Sequence, residues 1–83
     1  MTEKILQIII EVDKKDSSFV YFTLEANEGL CFYSTLPHKD GDLTRKIDIN
    51  LTESVKNEFL TVFNYLKSKL TINIIQDLSE TGE

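Results

Sequence analysis

Tryptophan is absent from this chain, and cysteine, histidine and proline occur once each. A lone cysteine, Cys31, cannot form an internal disulfide. The three glycines, Gly29, Gly41 and Gly82, are too few and too scattered for a glycine-rich phosphate cradle. Cys31 and His38 are the only soft nucleophile and the only imidazole. If both lie along one extended segment, about 3.3 Å per residue separates them by roughly 20 Å or more, which excludes a cysteine–histidine pair within one chain. Long apolar runs are also missing. The longest, Ile5 to Ile10, is interrupted by Gln7 and falls far short of the roughly 20 residues of a membrane span. The opening Met-Thr-Glu-Lys carries an acid and leads to no small-residue cleavage site, so it does not read as a signal peptide, and a cytoplasmic protein is expected.

Basic charge is scarce as well. Nine basic against fourteen acidic side chains give a net charge of -5, which opposes the polyanionic backbone that dominates nucleic-acid affinity. The lysines and Arg45 are spread along the chain and never form a dense run near aromatics, so no nucleic-acid partner is expected. What is present is an ordinary globular composition, 41% hydrophobic and 28% charged. A chain of 83 residues makes one domain that buries only about 60–65% of its unfolded surface, so its core is small and its stability marginal.

Residues 4–12 alternate, with Leu6, Ile8, Ile10 and Val12 on one face and Ile5, Gln7, Ile9 and Glu11 on the other. Three successive isoleucines and a half-apolar second face predict a central strand. Asp16, Ser17 or Ser18 can cap a helix running from Phe19 to Glu28, with Gly29 at its C-terminal end. Local propensity opposes that helix, because Phe, Val, Tyr and Thr are better strand formers. Leu30 to Leu36 reads as a second strand closed by Pro37, and His38 to Asp42 has the Asp-Gly chemistry of a hairpin turn. Leu43 to Leu51 alternates, placing Leu43, Ile47, Ile49 and Leu51 together. Thr52 or Asn50 can cap a second helix with a stripe of Val55, Phe59, Val62, Phe63 and Leu66. A fourth strand is expected over Leu70 to Ile75, with Leu70, Ile72 and Ile74 inward. Residues 1–78 then form the domain and 79–83 a flexible tail.

The order strand, helix, strand, strand, helix, strand, with right-handed crossovers, predicts an α+β ferredoxin-like βαββαβ sandwich: a four-stranded antiparallel sheet with two helices on one face. The expected core is Leu6, Ile8, Ile10, Phe22, Ile47, Ile49, Val55, Phe59, Val62, Phe63, Leu66 and Ile72.

No constellation carries chemistry. Cys31 on a strand reads as a small buried hydrophobe and His38 as a solvated turn residue. His38, Asp40 and Asp42 fall short of a lasting metal site, and turn preference accounts for Asp-Gly-Asp. Glu25 and Glu28 lie close at a helix end with nothing to bury them. No catalytic residue, metal or cofactor is therefore expected, and the chain reads as a non-enzyme. The uncovered sheet face is expected to show Ile5, Ile9, Cys31, Tyr33, Thr35, Thr71, Asn73 and Ile75, with Leu30 and Phe32 taking the place of Cys31 and Tyr33 if the strand slips by one residue. So apolar a face points to an interface, with Ile5, Ile9, Tyr33 and Ile75 as candidate contacts of a homodimer.

Leu24-Glu25-Ala26-Asn27-Glu28-Gly29-Leu30, followed by Ser34-Thr35-Leu36 and a glycine-bearing turn, resembles a family of small uncharacterised bacterial proteins known as a domain of unknown function. The similarity spans roughly Ile5 to Ile75 and implies no transferable catalytic residue. A looser similarity is to ACT-type regulatory domains, which share the element order and bind amino acids near the loop after strand one. Here Asp13-Lys14-Lys15-Asp16 replaces their glycine-containing turn. The resemblance implies a small-molecule-responsive binding or regulatory module; the alternative is an assembly partner that recognises another protein and no metabolite.

Overall fold

Alternation along Ile5–Asp13 and Thr44–Thr52 builds the two central strands, β1 and β3. In the computed structural model, which describes residues 3–81, these pair antiparallel from Ile5 opposite Thr52 to Asp13 opposite Thr44. One face of the pair is a closed apolar surface, Leu6 against Leu51, Ile8 against Ile49 and Ile10 against Ile47. A short strand β2, Phe32–Thr35, pairs with the outer edge of β3, and β4, Asn73–Glu80, with the outer edge of β1. The sheet is four-stranded and antiparallel in the order β2-β3-β1-β4.

Two helices, α1 over Ser17–Ala26 and α2 over Lys56–Lys69, cover that apolar face. Each follows a single 3₁₀ turn, at Lys14–Asp16 and at Glu53–Val55. The core joins Val20 and Leu24 of α1, Phe59, Phe63 and Leu66 of α2, and the inward residues of β1 and β3. α2 follows its expected stripe, with Val55 and Val62 half-buried at its margins. Among the described residues no helix is long and apolar enough to cross a membrane.

Several expectations are corrected. Helix α1 forms despite its strand-forming residues, because Val20 and Leu24 bury fully against the sheet, yet Phe22, expected in the core, is 71% exposed. Neither helix is capped by a side chain at its N-terminus: the Ser17 hydroxyl donates to the Lys14 carbonyl, and the Ser54 N–H reaches the Glu3 carboxylate at 3.3 Å. Gly29 does take a left-handed φ of +81°, but in the turn after α1, whose C-cap is Asn27. Strand β2 is shorter than expected, and Leu43 precedes β3 and is 80% exposed.

The fourth strand begins later than expected and runs on through Ser79 and Glu80, paired with Gln7 and Leu6, so the tail expected from residue 79 is strand up to Glu80. Thr81 also bonds the Ile5 carbonyl, and residues 82–83 lie outside the described residues. An apolar run was the wrong guide here. β4 is an edge strand whose one neighbour supplies the backbone partners, and polar residues suit its exposed sides. Its register slips twice, between the partners of Gln7 and Ile9 and again between those of Ile9 and Ile10. Ile72, just ahead of the strand, is half-buried beside the core, and Ile74, although opposite the buried Ile10, is 43% exposed at this edge, as Ile75 is at 51%.

Candidate functional site

The uncovered sheet face is far more polar than its sequence pattern suggests. Residues directly opposite in an antiparallel pair share a face, so Phe32, Asn50, Gln7 and Ser79 form one row across it, and Ser34, Asp48, Ile9 and Gln76 the next. Side-chain bonds tie these rows together. Gln76 Nε2 donates to Gln7 Oε1 at 3.0 Å, Gln7 Nε2 to Asp48 Oδ1 at 2.9 Å, and Asn50 Nδ2 to the same oxygen at 3.1 Å. Ile9 is half-buried within this network, and Ile5 lies at its margin.

Of the four interface candidates, Ile5 and Ile9 do share this face. Tyr33 does not. It pairs with Ile49 and therefore lies on the helix side, so strand two adopts the slipped alternative, with Phe32 outward and 82% exposed. Ile75 falls beside a register shift on the β4 edge. The four are not one patch.

Tyr33 instead closes a corner between β2 and α1. Its ring stacks on Tyr21 at a centroid distance of 5.2 Å, and its hydroxyl donates to Glu25 Oε2 at 2.5 Å. Tyr21 and Thr35 join hydroxyl to hydroxyl alongside. The bond to Glu25, helped by desolvation, pushes the Tyr33 phenol up to about 12, since ionising it would set two anions face to face. Cys31 is half-buried against the core, and burial pushes its thiol up to about 11, the opposite of what an activated nucleophile needs. His38 is exposed in the loop between β2 and β3, where Gly41 has φ +91° and Asp42 accepts the Lys39 N–H. Among the described residues no group of three or more His, Cys, Asp or Glu is placed to hold a metal.

Both sheet edges are blunted. Leu36 N–H donates to the Lys46 carbonyl, and by alternation only Tyr33 and Thr35 of β2 turn their backbone groups to the free edge before Pro37, which has no N–H. The register shifts of β4 interrupt the other edge.

Two surface features remain. One is an open groove of about 590 Å³ lined by Asp13, Lys14, Lys15, Ser18 and Leu43, where the turn after β1 meets the start of β3. Lys15 leans toward Asp13 and Asp16, at 3.8 and 3.4 Å. Lys14 has no carboxylate within ion-pair distance among the described residues. The groove thus offers an ammonium, a hydroxyl, a carboxylate and an exposed leucine.

The other feature is aromatic. On the helix layer Phe19, Phe22 and Tyr65 are 36%, 71% and 48% exposed, and Phe19 of α1 meets Tyr65 of α2 at 6.2 Å. The sequence pointed to the loop Asp13 to Asp16 but missed Leu43 beside it and missed the aromatic feature, although the second helical spacing on α2 was an available signal. The sequence matches no model of a known protein family and no curated protein.

Proposed function

We propose that this chain is a small non-enzymatic binding module of ferredoxin-like fold that takes a small zwitterionic or acidic molecule in the groove beside the turn after β1. Read from the β4 edge, the strand order is 4-1-3-2, and each helix links strands separated by one other, which supports the ferredoxin-like assignment. The observation that carries the ligand reading is the groove itself, where Lys14, Ser18 and Asp13 can meet a carboxylate and an ammonium while Leu43 supplies an apolar wall. Its position after β1 is where the ACT-type domains that the chain resembles take amino acids. A lone, half-buried cysteine fits a reducing compartment, so the cytoplasm is the proposed location.

Thermal-shift screening against amino acids and small carboxylic acids tests the reading. A ligand at 100 times its dissociation constant adds about 2.7 kcal/mol, and Leu43→Asp abolishes the shift while leaving the unliganded melt in place. A flat screen sinks it. The second reading, an assembly partner that recognises a polypeptide, is favoured by the three exposed rings on the helix layer.

A further inference from the structure

Helix α2 carries two stripes. Phe59, Phe63 and Leu66 face the core. Glu58, Val62, Tyr65 and Lys69 follow one another by four, three and four residues, so at about 100° per residue they share a second face, turned toward α1. The helices run antiparallel: Phe19 near the start of α1 meets Tyr65 near the end of α2, while Ala26 and Glu28 line a groove with Val55 and Glu58 at the opposite end. Phe22 therefore lies near mid-length of a seam that is acidic at one end and basic at the other. Glu58 has no cation within ion-pair distance among the described residues, and Lys69 is held over the Tyr65 ring at 5.6 Å from its centroid with no carboxylate partner there.

Such a surface is complementary to itself. Glu58 and Lys69 lie eleven residues apart on one helix face, about 16 Å, too far to pair within a chain. A two-fold axis through the middle of the seam brings Glu58 of each copy onto Lys69 of the other, with Phe22 and Tyr65 shielded between the two layers. We propose that the helix layer is the contact surface of a symmetric homodimer, centred on Phe22 and oriented by reciprocal Glu58–Lys69 pairs. The open sheet face, apart from its exposed Phe32, is crossed by its own hydrogen-bonded network and both edges are interrupted, while the helix layer carries Phe19 in contact with Tyr65 and Phe22 one turn further along α1. Occupancy of the groove beside β1 is a separate matter, because the pairing uses none of the groove's lining residues.

Light scattering from about 1 to about 100 µM tests the proposal. The wild type is expected to be dimeric and Phe22→Ser monomeric, with circular dichroism melts confirming that the variant is folded. Glu58→Lys and Lys69→Glu each turn two attractive pairs repulsive and weaken the dimer about tenfold. The double variant re-forms the pairs with reversed sign and regains most of the lost affinity. A monomeric wild type, a dimer indifferent to Phe22→Ser, or a double variant no better than the weaker single one overturns the proposal. If Phe22→Ser fails to fold, the charge-reversal series decides.

Discussion

Helices α1 and α2 lie on the same sheet face and are held there differently. α2 buries Phe59, Phe63 and Leu66 almost completely and shows mostly polar and charged residues to solvent. α1 buries Val20 and Leu24 beside two polar side chains, Ser17 and Thr23, while its larger Phe22 stands in water. Part of its attachment is instead the corner where Tyr21 and Glu25 meet Tyr33 and Thr35. The contrast teaches that apolar content does not measure anchoring: α1 has apolar residues on more than one side, and only those over the sheet work for the fold. The surplus, Phe22 above all, is what the proposed dimer contact on the helix layer is built on.

The sharpest way to break the comparison is to truncate one ring in each helix. Phe59→Ala leaves a cavity beneath α2 and is expected to lower unfolding stability by about 3–5 kcal/mol in urea titrations. Phe22→Ala, measured in dilute protein so that association does not contribute, should change it by no more than about 0.5 kcal/mol. Equal losses would mean that Phe22 packs into the core after all.

A smaller effect sharpens the account of the α1 corner. Tyr33→Phe keeps the stacked ring and removes the hydroxyl that donates to Glu25. A loss of about 0.5–1 kcal/mol in the same titration is expected, modest because the bond lies at the surface and water competes for it. A larger loss would mean that the hydroxyl, and not the ring, holds β2 to the helix.

The smallest change concerns the thiol next to that corner. With Cys31 pushed up to about 11, its thiolate is scarce at neutral pH, so alkylation of the folded protein at pH 8 should run about 100-fold slower than in urea and accelerate until pH approaches 11. The sign for stability follows. A folded-state value raised above the unfolded one contributes stability that is present below the unfolded value, near 9, and is lost as pH rises through about 11. Equal alkylation rates in folded and unfolded chains at pH 8 would contradict the burial.

Much of the fold was legible wherever the two faces of an element differ strongly. On β1 and β3 a one-residue shift would have turned isoleucines and leucines into water, and on α2 the core stripe has a single direction, so the pattern of residues sufficed. The facing of β2 was not legible, because Leu30, Cys31, Phe32 and Tyr33 are apolar or aromatic in succession and either alternation is acceptable locally. Pairing with β3 chose between them and turned Tyr33 toward α1. The same holds for the extension of β4 through polar residues to Glu80, which needs a neighbour to supply its hydrogen bonds. It holds too for Gln7, Asp48, Asn50 and Gln76, scattered in sequence and joined only across strands. Local patterning decides where apolar and polar positions contrast. Where they do not, the partner strand or the opposing helix supplies the missing free-energy difference, and that difference exists only in the assembled tertiary structure.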